Sequence, residues 1–344
     1  LLYLFGASPA LCSSFVAGRQ HSLQPLGEDT MHMPYATSLR MGPLGYQSDA
    51  QASLAVSYNG LDGYAASLHE ALTRPYPAYE AIGITNPGGE YNHLATSLLQ
   101  IENEFYGLLR PKRTILPGER PLHALRERGV EYVEVRLLDL DPFVPVGIKA
   151  PTMRLIDIFL LHCLLADSPP DTPEEIARIA RNQHRTAACG REPGLRLERG
   201  DGEVPLVEWG AQLLRECEPI AQRLDAVHGS GDHVQALRGA AALLDQPQLL
   251  PSARVLAAMA QDFGNSFIDF TLAHSQQTRS KLLALPFSGA QQARFAALSE
   301  KSLQDQRAIE AADTLSFEEY RQQYIHPDRL GLTRSSVAPA LAAV

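Results

Sequence analysis

Cysteine is scarce and scattered in this 344-residue chain, with four residues at Cys12, Cys163, Cys189 and Cys217. No Cys-x-x-Cys and no His/Cys cluster of zinc spacing occurs, which argues against structural zinc and fits a reducing cytosol. Cys163 falls in an apolar helical run and is expected in the core. Long apolar runs are missing as well. The longest, Leu155 to Ala166, contains Asp157 and His162 and falls short of the ~20 residues a membrane span needs, so a buried helix is expected there. The opening Leu1-Leu2-Tyr3-Leu4 carries no basic residue and is soon interrupted by Gly6 and Pro9, so it does not read as a signal peptide. Positive charge is outnumbered, 30 Lys and Arg against 39 Asp and Glu, for a formal charge of −9. That balance argues against a nucleic acid or an anionic membrane as the main partner, while a local basic pocket for small anions stays compatible with it. Signatures of hydrolases are absent too: there is no Gly-x-Ser-x-Gly, no His-Glu-x-x-His, and no Walker-type phosphate loop.

What is present is globular composition, 45% hydrophobic and 20% charged, and one stretch with unusual chemistry. Residues 129 to 143 read GVEYVEVRLLDLDPF. As a strand, this places Val133, Val135 and Leu137 on one face and Tyr132, Glu134 and Arg136 on the other. A carboxylate and a guanidinium two residues apart suit a site that holds a hard metal ion and an anion together. A solvated ion pair on a half-exposed sheet fits the same residues. A second strand is expected over Ser97 to about Leu108, with Glu102, Glu104 and Tyr106 sharing a face, leading into the basic run Arg110-Pro111-Lys112-Arg113. Arg40, Tyr46 and the Gly6-Ala7-Ser8-Pro9 turn, where backbone can approach a ligand closely, complete the polar inventory. Carboxylates with arginines are the equipment of phosphoryl transfer with magnesium or manganese.

The chain divides by character. Residues 1–150 are mixed, with a helix expected at Leu61 to Leu72; beyond Pro151 helix follows helix. Thr172-Pro173-Glu174-Glu175 has the residue pattern of a capping box with proline at the first helical position, and Gly190 is the expected stop. Further helices are expected at Leu206–Val227, Asp232–Leu244, Ala253–Phe263, Gln291–Ala312 and Phe317–Tyr324. The tail 333–344 is expected to fray.

LFGASPALCSSF at 4–15, PYATSLR with GY at 34–46, QIENEFY with RPKR at 100–113, and EYVEVRLLDLDPF at 131–143 together resemble the proteobacterial glutamate–cysteine ligase family, the first enzymes of glutathione synthesis. The resemblance implies an α+β fold: part of a glutamine synthetase-like antiparallel sheet cup over 1–150, then a mainly helical region, 151–332, packed on the same catalytic domain. It implies ligation of the side-chain carboxylate of L-glutamate to L-cysteine through an acyl phosphate made from ATP, with Mg2+ (or Mn2+). Charge and cysteine usage add the expectation of a cytoplasmic protein with no nucleic-acid or membrane partner, and leave oligomeric state open, a monomer included. Carried over by position, Glu134 matches a metal ligand and Arg136 a phosphate-facing catalytic cation. Arg40, Tyr46 and Tyr106 match positions around the cysteine substrate; Asn103, Arg110, Lys112 and Arg113 match positions near the nucleotide.

One departure bears on all of these. The family's first third, with a glutamate-rich segment that supplies most metal ligands, has no counterpart here, so the chain is expected to be a fragment that is inactive alone. Glu134 by itself cannot assemble a multi-metal site. Two other readings therefore stay open: a non-catalytic binding module of the same fold, and a related carboxylate–amine ligase with another acceptor.

Overall fold

A computed structural model describes residues 1–46, 48–51 and 54–331, so the tail 333–344 lies outside the described residues. The elements run α1 (Leu2–Phe5), β1 (Ala10–Cys12), β2 (Gln24–Gly27), β3 (Thr30–His32), α2 (Leu61–Thr73), α3 (Pro77–Ile82), β4 (Leu109–Lys112), α4 (Pro121–Arg128) and β5 (Tyr132–Val135). They continue α5 (Ala150–Leu165), α6 (Pro173–Cys189), β6 (Arg196–Arg199), β7 (Gly202–Pro205), α7 (Leu206–His228), α8 (Asp232–Asp245), α9 (Pro251–Asp262), α10 (Phe267–Leu283), α11 (Gly289–Ala312) and α12 (Phe317–Ile325). The class is α+β. Strand order is β1-β3-β2 in a three-stranded sheet, and β4-β5 and β6-β7 form two-stranded ones.

Two compact units share the chain: residues 1–60, 106–110 and 133–278 form the first, and 61–105, 111–132 and 279–344 the second. In the first unit α5, α7 and α8 pack on one another. Their shared core takes Leu155 and Ile158 from α5, Cys217 and Ala221 from α7, and Leu237, Ala240 and Leu244 from α8. A second cluster joins Ala10 of β1 to Val255, Met259 and Phe270 of the following helices. In the second unit α2 packs on α4, burying Leu68, Leu72, Leu122 and Leu125.

The start of α6 is set as the residue pattern suggests, because the Thr172 hydroxyl accepts the Glu175 amide and Pro173 opens the helix. The helices expected at 61–72, 206–227, 232–244, 253–263, 291–312 and 317–324 are all present within two residues of those bounds. α3, α4, α10 and the β6–β7 hairpin are additional.

Three expectations fail. Residues 97–108 form no strand; a short 3-10 turn stands at Glu102–Glu104 and β4 begins only at Leu109. The reason is Glu102, whose buried side chain turns inward to Arg120 instead of alternating across a pleat. The strand expected over 129–143 is paired only from Tyr132 to Val135, and Val133 is 45% exposed. A two-stranded pair has no layer of its own to bury an apolar face, so the core face expected there is realised only at Leu137, which packs with Leu2, Met41 and Ala187. Finally, α5 is not buried all round. Only Leu155 and Ile158, three residues apart, are fully covered, while Leu164 and Leu165 are mostly exposed. Cys163, beside them, is exposed, and the core cysteine is Cys217, whose thiol burial pushes up to about 11. Among the described residues no helix is long and apolar enough to cross a membrane.

Candidate functional site

The site in the first unit is assembled on the C-terminal end of α6. Helix ends leave carbonyls without helical partners, and here the loop 34–38 supplies donors: the amides of Thr37 and Ser38 both reach the Ala187 carbonyl, at 2.9 and 3.2 Å, and the Thr37 hydroxyl donates to the Thr186 carbonyl at 2.7 Å. Arg191, just past the helix, donates to the carbonyls of Pro34 and Ala36 at 2.7 and 3.2 Å. Gly6 lets the Ala7–Ser8 turn close on the same loop; a Cβ there would stand 2.6 Å from the Thr37 carbonyl oxygen. The close approach that the Gly-Ala-Ser-Pro turn permits is thus to the chain itself.

From that anchored loop, a 3-10 turn over Leu39–Met41 presents Arg40, and a tight return follows. The Tyr46 amide donates to the Arg40 carbonyl, a closure that leaves no room for a side chain at Gly45, where a Cβ would overlap the Arg40 carbonyl. The return sets the Tyr46 ring among cations. The Arg136 guanidinium carbon lies 5.1 Å from its centroid and that of Arg40 6.0 Å, both within cation–π range. Buried Arg110 donates from Nη2 to the Tyr46 hydroxyl at 3.2 Å. Tyr106 meets the ring edge-on, centroids 4.8 Å apart, and its amide donates to the Gln51 side chain at 3.1 Å. Glu134 lies 3.7 Å from Arg136, and the Arg136 amide is fixed by the Leu108 carbonyl at 2.9 Å.

The structure therefore brings Arg40, Tyr46, Tyr106, Arg110, Glu134 and Arg136 together in one unit, from three separate segments. Asn103, Lys112 and Arg113 fall in the second unit. There Asn103 is exposed in the Glu102–Glu104 turn; the Lys112 carbonyl accepts the Glu131 amide at 2.8 Å; and Arg113 lies 3.7 Å from the Glu131 carboxylate. Glu102, one of the acids in the polar inventory, pairs with Arg120 in the same unit, both side chains nearly inaccessible, which makes it structural.

Chemically, the convergence of three guanidinium groups on one aromatic ring suits an anion. Guanidinium forks match carboxylate and phosphate oxygens, and the tyrosine faces supply a wall. The implied metal fits less well. Among the described residues no group of three or more His, Cys, Asp or Glu side chains is placed to hold an ion. Glu134 lies 3.7 Å from a cation, Arg136, and a hard divalent ion takes about six oxygen ligands. The residues present do not fit that ion by themselves. A cavity of about 390 Å3 elsewhere in this unit is lined by Leu108, Phe159, Leu197, Trp209 and Cys217 among others; no charged side chain lines it, so it does not suit anionic substrates.

Sequence reasoning missed Asp139. The strand parity that puts Val133, Val135 and Leu137 on one face also puts Asp139 there. A carboxylate on an apolar face signals a buried partner, and the structure supplies Arg40 at 2.6 Å.

The profile of the glutamate–cysteine ligase family matches residues 1–186. A glutamate–cysteine ligase of Saccharophagus degradans is 47% identical over 326 residues, 94% of this chain and 61% of that protein. One from Hahella chejuensis is 45% identical over 94% of this chain and 62% of that protein. Among solved structures, the glutamate–cysteine ligase of Francisella tularensis in complex with AMP superposes with a TM-score of 0.89 at 32% identity, covering 96% of this chain and 64% of that one. The chain thus spans about three fifths of the length of the curated relatives it matches. With the profile covering more than half of its residues, the chain belongs to the glutamate–cysteine ligase family.

Proposed function

We propose that this chain is part of an ATP-dependent ligase that joins the side-chain carboxylate of L-glutamate to the amine of L-cysteine. The observation that carries the reading is the Tyr46 ring with Arg40, Arg110 and Arg136 around it, inside the span matched by the family profile. The AMP held by the Francisella protein supports a nucleotide co-substrate.

In this reading a carboxylate oxygen of glutamate attacks the γ-phosphorus of ATP and ADP leaves. The cysteine amine then attacks the acyl carbon; the C–O bond to phosphate breaks, phosphate departs with the electron pair, and the nitrogen gives up its proton. Arg136 and Arg110 face the transferring phosphoryl group and offset the charge that develops there. Arg40 takes the carboxylate of the acceptor, and the rings of Tyr46 and Tyr106 wall its side chain and keep water from the acyl phosphate. Asn103, Lys112 and Arg113, on the second unit, are assigned to the nucleotide on the resemblance alone. Glu134 would be one oxygen ligand of a Mg2+ site whose other ligands these residues do not provide. The small antiparallel sheets are read as part of a glutamine synthetase-like cup, in a cytoplasmic enzyme.

The test is a chimera of the full-length Saccharophagus degradans relative carrying this chain over the matched span. Formation of γ-glutamylcysteine should need ATP, glutamate and cysteine together, and Arg136→Ala should lower kcat/KM by roughly 100-fold or more. Equal turnover with other small amines would remove the cysteine assignment. A fully active Arg136→Ala chimera would remove the site, and a folded but inactive unaltered chimera would favour a binding module.

A further inference from the structure

Asp139 holds more of the candidate site together than any residue assigned to it. Its carboxylate is 5% exposed. Oδ1 accepts from Arg40 Nε at 2.6 Å, while Oδ2 accepts from the Ser8 hydroxyl at 2.7 Å and the Ala7 amide at 2.8 Å. Ser8 Oγ in turn lies 3.1 Å from Ser38 Oγ and accepts the Arg40 amide at 3.5 Å. One carboxylate thus ties the Ala7–Ser8 turn, the Ser38–Arg40 segment and the end of the 131–143 stretch to one another. The rest of the Arg40 fork is also taken up by this stretch: Nη2 donates to the carbonyls of Arg136 and Leu138 at 3.0 and 2.9 Å. A guanidinium is planar, with five donors in fixed directions. With Nε and Nη2 engaged along one edge, its orientation is set and Nη1 is the nitrogen with donors to present to a ligand.

Charge attraction does not account for a carboxylate in this place. An acid against Arg40 opposes the approach of an anion to that arginine; what it contributes is a fixed fork. We propose that Asp139 is a positioning residue that acts through Arg40, orienting Nη1 toward the carboxylate of the amino-acid acceptor beside Tyr46. The inference rests on the reading of Arg40 given above.

The two roles differ in sign. Asp139→Asn keeps the side-chain volume and removes the charge. If the carboxylate mattered only as a charge, the variant would bind an anionic acceptor more tightly; if it positions Arg40, binding weakens. The experiment is calorimetric titration of the 344-residue chain with L-cysteine and, in parallel, with cysteamine, the same thiol and amine without the carboxylate. Circular dichroism establishes that each variant is folded. Asp139→Asn is expected to weaken L-cysteine by about tenfold and to leave cysteamine unchanged. In an Arg40→Ala background it should add nothing. Ser8→Ala, which removes one Oδ2 partner and does not touch the Arg40 guanidinium, should weaken L-cysteine by a smaller factor of about three; it carries the test should Asp139→Asn fail to fold. Unchanged or tighter L-cysteine binding in the variants, equal loss for cysteamine, or a loss that persists without Arg40 overturns the inference while leaving the site reading intact. Failure of the unaltered chain to bind L-cysteine overturns the reading of Arg40 and the inference with it.

Discussion

Replacing Glu102 by glutamine removes one charge from an ion pair that the second unit keeps almost entirely from water. The Glu102 side chain is 6% exposed and that of Arg120 1%. Arg120 Nε bonds both carboxylate oxygens, at 3.2 and 3.0 Å, and Nη2 bonds Oε2 at 2.8 Å. Glu102 Oε1 also accepts the Leu122 amide at 3.2 Å, which serves one of the donors left open at the start of α4. Breaking a buried pair from one side costs about 3–5 kcal/mol, because the remaining charge is left without compensation. Arg120 keeps two contacts: it donates to the Tyr324 carbonyl at 2.7 Å and lies 4.5 Å over the Tyr324 ring. Glutamine also retains one acceptor oxygen. The expected loss is therefore at the lower end, about 3 kcal/mol. At ~1.4 kcal/mol per factor of ten, amides of α4 and α2 should exchange with solvent about 100-fold faster in Glu102→Gln, read by hydrogen-exchange mass spectrometry. A double replacement by methionine at 102 and 120 should recover most of the loss, since an apolar pair of similar volume has no charge to desolvate. Acceleration of less than about threefold in the single variant would refute the argument and return Glu102 to the pool of candidate chemical groups.

Two further outcomes follow from the first unit. Gly45→Ala should weaken L-cysteine binding by roughly tenfold or more with little change in melting temperature, because a Cβ at 45 overlaps the Arg40 carbonyl and must displace Tyr46 from its cations; undiminished binding in a calorimetric titration would contradict this. Asp225 predicts an acid-dependent contribution. Burial alone would raise its pKa, but the amides of Val234 and His233, the His233 imidazole and the Ser230 hydroxyl outweigh that and hold it well below the usual carboxylate range. A depressed folded value means that the stabilisation is fully present above the unfolded value of about 3.9. It is lost as pH falls below that and through the folded one, where the unfolded chain has taken up a proton first. Urea midpoints of the native chain and Asp225→Asn should therefore differ at pH 7 and converge below about pH 4; a constant gap would refute the assignment.

How much of this could be read without coordinates depended on whether the signal was local. The start of α6 was legible because a threonine, a proline and a glutamate three residues on act on one another within a single turn. Most of the long helices of the second half were legible from local apolar spacing, but α10 was not. Glu102 was not: alternation over SLLQIENEFYGL gives strand parity, yet the side chain that decides the local path answers to Arg120, eighteen residues away. Tyr46 with Arg40 and Arg136 was nameable by resemblance, but its setting depends on Gly45 having no side chain and on α6 offering its last carbonyls to Thr37 and Ser38. Neither dependence leaves a periodic trace. Asp139 did leave one, a charge on the apolar parity of the strand expected over 129–143, although the strand itself ends at Val135.

The two kinds of group that phosphoryl transfer requires are unequally developed among the described residues. Cations that would meet phosphate and carboxylate are held in place by the chain itself: Arg40 by Asp139 and two carbonyls, Arg136 beside Glu134 and over Tyr46, and Arg110 against the Tyr46 hydroxyl. Carboxylates able to gather around a metal ion are not brought together. Preorganised donors lower the reorganisation that accompanies anion binding whether or not chemistry follows, whereas a hard cation is bound only when several oxygens converge. In the proposed reading, binding of a small carboxylate and transfer of a phosphoryl group are therefore separable. The first would depend on residues fixed around Tyr46, and the second on oxygen ligands that Glu134 by itself does not supply.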